Sequence, residues 1–115
     1  MSYRVVFHLD ADNTDIFALG LGNAGNLLKA AQGAECDIVL LFNGPAVRLL
    51  DGARCTRADS VRALQEQGVR FRVCSNAMRS FGGDIEALVP GCEPVPAGVV
   101  ELILLQQKGY AYIKP

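Results

Sequence analysis

Five short apolar runs alternate along this chain with segments of helical period, and that alternation limits what the chain can fold into. Arg4 to Leu9 (RVVFHL) and Asp37 to Phe42 (DIVLLF) are short, apolar and rich in β-branched residues, the pattern of strands buried on both faces. Val69 to Val73 is a third strand, in which Val69, Phe71 and Val73 alternate with Arg70 and Arg72. Glu93 to Val95 and Tyr110 to Ile113 are two shorter ones. Thr14 to Gln32 places Phe17, Leu21, Ala24, Leu28 and Ala31 at steps of three and four, which is one stripe of a helix. Asp12 or Asn13 is positioned to cap it. Arg57 to Gln67 is a helix with Val61 and Leu64 inward, and Cys74-Ser75-Asn76 turns the chain into a helix through Phe81. Ala97 to Gln107 is a helix carrying Val99, Val100, Ile103 and Leu104. Helical turns are expected at Ala46 to Leu50 and Asp84 to Leu88.

Strands that alternate with helices pair in parallel, because each crossover returns the chain to the same end of the sheet. Right-handed crossovers then give a three-layer α/β/α sandwich of flavodoxin or Rossmann type. The expectation is one domain over residues 1–115 with a mostly parallel five-stranded sheet. Strand order is not readable from the pattern. Arg70 and Arg72 conflict with a central strand covered on both faces. Either that face is partly open, or another subunit covers it with paired acids.

The chain's 115 residues match one ordinary domain, and 50% are hydrophobic, enough for a core. The net charge of −1, with the arginines scattered among acids, excludes a basic nucleic-acid-binding surface. No apolar run is long enough to span a membrane. The N-terminus lacks the basic and apolar regions of a secretory signal, so the cytoplasm is the expected compartment. The cysteines, Cys36, Cys55, Cys74 and Cys92, form no C-x-x-C pair, and the single histidine is His8. Neither a structural zinc site nor a disulfide framework is expected.

Gly20-Leu21-Gly22-Asn23-Ala24-Gly25 matches G-x-G-x-x-G, the dinucleotide-binding fingerprint, letter for letter. That motif works only directly after a strand, where the helix N-terminus faces a pyrophosphate. Here the first strand ends near Leu9, and the glycines fall in mid-helix with no amide free to bind phosphate. The expected role is close packing of the helix against a neighbour, within the subunit or across an interface.

In open α/β sheets, ligands bind outside the carboxyl ends of the strands. That rule selects His8, Asp10, Asn43, Cys74, Ser75 and Asn76. Cys74 is the best placed, where a strand ends and a helix begins. The partial positive charge of a helix N-terminus stabilises a thiolate, with Arg72 and Arg79 close in sequence. Such a thiolate attacks sulfur or carbon electrophiles or carries a persulfide; the competing reading is an inert, packed cysteine. Cys55 and Cys92 are candidate resolving partners, while Cys36 reads as core. His8 lies one residue from its strand's end. It is either a core histidine or a base paired with the cysteine.

Four segments carry a family resemblance: YRVVFHLD, LFNGPAV, GVRFRVCSNAMRSFG and VPAGVVELILLQQKGYAYIKP. In this order and spacing they resemble the DsrE/DsrF-like family, within the YchN-like superfamily, over nearly the whole chain. The resemblance implies an α/β sandwich that assembles into trimers or hexamers and relays sulfur as a persulfide on a cysteine. The family's cysteine maps onto Cys74 and its adjacent asparagine onto Asn76. The Asn-Gly after the second strand maps onto Asn43 and Gly44. Ser75 and His8 complete the expected pocket. Ala77 stands where relatives often have threonine. No cofactor or metal is implied; the implied partners are copies of this chain, a sulfur donor and a sulfur acceptor. The alternative is a non-enzymatic oligomeric module that binds a small anion or a partner protein, with Cys74 merely packed.

Overall fold

The computed structural model describes residues 2–115. Strand β1 (Ser2–Leu9) leads into α1 (Thr14–Ala30), then β2 (Glu35–Phe42) and a 3-10 helix over Gly44–Leu50. Helix α2 (Ala58–Glu66), β3 (Arg70–Cys74) and α3 (Ser75–Ser80) follow. After a second 3-10 turn (Ile85–Ala87) come β4 (Glu93–Val95), α4 (Gly98–Gln107) and β5 (Ala111–Ile113). Every expected strand and helix is present, with boundaries moved by at most two residues. Strand β1 starts earlier than its apolar run, since Ser2 and Tyr3 pair with Glu35 and Cys36 at the exposed start of the sheet. Asn13 caps α1, its side chain accepting from the N–H groups of Asp15 and Ile16.

All pairings are parallel, and the strand order is β4-β3-β2-β1-β5. Three successive crossovers step the same way across the sheet, so their helices cover the same face. Phe17, Leu21 and Ala24 of α1, Val61 and Leu64 of α2, and Met78 of α3 share one core with Val5, Phe7, Leu40, Phe42, Phe71 and Val73. The last crossover runs back over the whole sheet, which places α4 alone on the other face. There Leu102 and Leu105 pack on Val6, Val39, Leu41 and Val95. Val99, Val100, Ile103 and Leu104, the residues that mark this helix in the sequence, face outward and are 44–60% exposed.

This one-helix layer accounts for the arginines of β3. Arg72 reaches Glu101 of α4 at 3.1 Å and Glu93 of β4 at 3.4 Å. The acids that pair with Arg72 therefore belong to the same chain, and Arg70 lies exposed on a partly open face. The glycines of α1 also depart from expectation. Gly20 is buried, where an added Cβ would stand 3.5 Å from Leu9, an ordinary contact. Gly22 and Gly25 have nothing within 4 Å of such an atom, so neither allows a close helix approach within this chain.

Candidate functional site

The carboxyl ends of β1, β2 and β3 form one edge of the sheet, and the candidate residues gather there. Cys74 is the last residue of β3 and the N-cap of α3. Its backbone is extended (φ −66°, ψ 114°), so its side chain stays at the sheet edge while the next residue begins a helix. Sγ accepts the N–H of Ala77 at 3.4 Å, the position a capping oxygen normally takes. The residue is 7% exposed.

Asn43 and Gly44 follow β2. The Asn43 N–H donates to the Leu9 carbonyl at 3.1 Å, extending the β1–β2 ladder past both strands. Gly44 turns the chain with a φ of +54°, a left-handed conformation that favours glycine. The Asn43 Oδ1 lies 2.7 Å from the His8 Nε2, and the His8 Nδ1 lies 2.6 Å from the Tyr112 hydroxyl. Asp10, just beyond β1, is bonded by Lys114 at 2.5 Å, and this ammonium holds its carboxyl below the usual carboxylate value.

Gly98, the first residue of α4, joins these parts. A Cβ added there would stand 2.8 Å from the Asn43 Cβ, 3.2 Å from the Leu41 Cδ1 and 3.3 Å from the Cys74 Cβ. Asn43 and Cys74 thus flank the start of α4 from two neighbouring strands. Cys74, Asn43, Gly44 and His8 are brought together as expected. Ser75 and Asn76 face another way. They line an open groove of about 450 Å³ with Arg79, Pro94, Pro96 and Ala97. The Asn76 Oδ1 accepts from the Arg79 guanidinium.

His8 has both ring nitrogens engaged, by Tyr112 and Asn43, so it forms no direct Cys–His pair with Cys74. Cys92 precedes β4, set back from Val95, the register partner of Cys74, and packs against the core beneath α1, α2 and α3. Burial, the nearby Cys55 and Glu93 push the Cys92 thiol up to about 12. Cys36 lies at the opposite end of β2. All four thiols are free, and Cys55 lies near Cys92. Among the described residues no group of three or more His, Cys, Asp or Glu is placed to hold a metal ion, and no helix is long and apolar enough to cross a membrane.

Tyr112 and Gly98 did not emerge from sequence reasoning. Tyr112 reaches His8 because β5 pairs with β1, which depends on a strand order the sequence pattern leaves open. Gly98 carried a faint signal, as a glycine in the first turn of an otherwise apolar helix.

Known proteins resemble the chain in fold throughout and in sequence to differing degrees. It is 35% identical to MTH1491, a protein of unknown function from Methanobacterium thermoautotrophicum, with a TM-score of 0.90 over 98% of this chain and 99% of that one. YchN of E. coli superposes with a TM-score of 0.76 at 19% identity, covering 100% of both chains. BT1422 of Bacteroides thetaiotaomicron, a conserved protein of unknown function, gives 0.72 at 15% identity, covering 96% and 93%. At those lower identities the likeness is one of fold alone. No curated protein matches. The DsrE/DsrF-like family model matches residues 5–115, nearly the entire chain, and the chain belongs to the DsrE/DsrF-like family.

Proposed function

We propose that this chain relays sulfur as a persulfide on Cys74. Family membership points to a function of the sulfur-relay type in general. The observation that supports the finer reading is the setting of Cys74. It ends β3 at the carboxyl edge of the sheet, with Sγ accepting the Ala77 N–H and Asn43 beside it. Hydrogen bonds to sulfur favour its anionic form.

The Cys74 thiolate attacks the outer sulfur of a donor persulfide. A sulfur–sulfur bond forms at Cys74, the donor's breaks, and the donor leaves as a thiolate. An acceptor thiolate then attacks the outer sulfur on Cys74, takes it, and restores the Cys74 thiolate. No net oxidation occurs, and one cysteine suffices. The groove lined by Ser75, Asn76 and Arg79 lies to another side of α3 and is where a donor or acceptor protein would dock. The partners are a cytoplasmic sulfur donor and acceptor, together with further copies of this chain in a trimer or hexamer. The exposed apolar residues of α4 support the assembly.

Intact-mass measurement after exposure to a persulfide donor tests the reading. Wild type should gain the mass of one sulfur atom and Cys74→Ser should not; equal gain by both would sink it. The 7% exposure of Cys74 favours a second reading, an oligomeric module that holds a small anion or partner in the groove. Under that reading Cys74 resists iodoacetamide in the folded protein.

A further inference from the structure

We infer that Tyr112 is a positioning residue for Cys74: acting through His8, it fixes which end of the Asn43 amide faces the cysteine. The inference rests on reading Cys74 as a reactive thiol. The strand order sets three side chains in a row, with Tyr112 on β5, His8 on β1 and Asn43 at the end of β2. Cys74 lies next, on β3.

Hydrogen-bond chemistry gives this row a direction. An amide oxygen only accepts, so the proton shared with the Asn43 Oδ1 sits on the His8 Nε2. In the neutral ring Nδ1 is then bare and accepts, and the Tyr112 hydroxyl donates to it at 2.6 Å. The hydroxyl thus selects the imidazole tautomer, and the tautomer selects the face of the amide. With Oδ1 held toward β1, the Nδ2 of Asn43 is left for the β3 side. There the Asn43 and Cys74 Cβ atoms flank the Gly98 position. A donor so placed favours a thiolate or persulfide anion over a neutral thiol.

Without the hydroxyl, the ring is free to carry its proton on Nδ1. A bare Nε2 then draws the amide's N–H toward itself, and the amide oxygen turns to the sulfur. An N–H donor facing an anion becomes an acceptor facing it. The charged groups around the row, Asp10 and Lys114 beside His8, Arg72, Glu93 and Glu101 near α4, and Arg79 on α3, are the same in wild type and Tyr112→Phe.

The chain has a single histidine, so ¹⁵N-histidine labelling reports one ring. At a fixed, mildly alkaline pH, where an ordinary imidazole is neutral, wild type should carry its proton on Nε2. Tyr112→Phe should show a mixture. Iodoacetamide alkylation of Cys74 should slow about fivefold in Tyr112→Phe, the worth of one hydrogen bond. Asn43→Asp should also slow it, and Tyr112→Phe added to Asn43→Asp should slow it no further. Thermal melting checks that each variant is folded. An unchanged tautomer, an alkylation rate within about twofold of wild type in folded Tyr112→Phe, or additive effects in the double variant would overturn the inference. Alkylation that depends on Tyr112 without any uptake of sulfur would instead overturn the persulfide reading and leave this one standing.

Discussion

Gly98 and Cys74 approach so closely that a single methyl group on Gly98 would stand 3.3 Å from the Cys74 Cβ and 2.8 Å from that of Asn43. Both neighbours are Cβ atoms fixed to strand ends, so relief requires α4 to shift. Gly98→Ala should destabilise the fold by about 1–3 kcal/mol, as overpacking does. Denaturant unfolding measures this, and the ¹⁵N signals of His8 should move with it.

Gly22 and Gly25 should behave in the opposite way. They lie within α1, and an added Cβ meets nothing within 4 Å. Gly22→Ala and Gly25→Ala should each stabilise the chain by up to about 1 kcal/mol through helix propensity. A lower melting temperature in either variant would mean that the face is occupied in the assembled protein.

Arg72 ties α4 to the sheet through Glu101, with side chains 16% and 19% exposed. Glu101→Gln keeps the shape and removes the charge, and should cost about 1–2 kcal/mol, the worth of a hydrogen bond to a charged group. Glu93 is 48% exposed in its pair, and Glu93→Gln should cost under about 0.5 kcal/mol. Equal losses in the two variants would refute this ranking.

Alkaline pH should weaken the fold through Cys92. Its thiol is raised from 9.0 to about 12 by burial first, then by Cys55 and Glu93. A group raised in the folded state gives stability that is complete below its unfolded value and lost as pH climbs toward the folded one. Denaturant midpoints should therefore fall between about pH 9 and 12 in wild type. Cys92→Ala should show a shallower decline over that window.

Assembly through the outward face of α4 should respond to charge. Ile103 and Val100 are 49% and 50% exposed on an otherwise apolar helix surface. Ile103→Asp should yield a folded monomer by light scattering, with unchanged secondary structure by circular dichroism. A wild-type monomer at micromolar concentration would refute the assembly itself.

The strands were legible because buried strands such as DIVLLF carry an apolar signal from their own residues. The Cys74 turn was legible for a similar reason, since an alternating strand and a helix with polar residues at its start follow one another directly in sequence. The order of the strands was not. Local pattern does not encode which neighbour a strand takes, so the contact of His8 with Tyr112 was hidden although both residues were in view. Helix α4 misled differently. Its apolar residues fall on every side with Glu101 the single charge, and such a pattern does not say which side packs. Arg72 leaves a partly open face and a partner's acids as equal readings in sequence, because its own acids, Glu93 and Glu101, are far from it along the chain and next to it in space.

The two outermost strands, β4 and β5, are only three residues long, and β4 contains Pro94. A strand edge recruits another chain through a row of unpaired amides and carbonyls, and here the row is short at both ends and interrupted by a residue without an N–H. Continuous sheets running from one molecule to the next are thereby discouraged. Any assembly of this chain is left to side chains meeting on faces, and the same design keeps a protein with so apolar an interior from polymerising edge to edge.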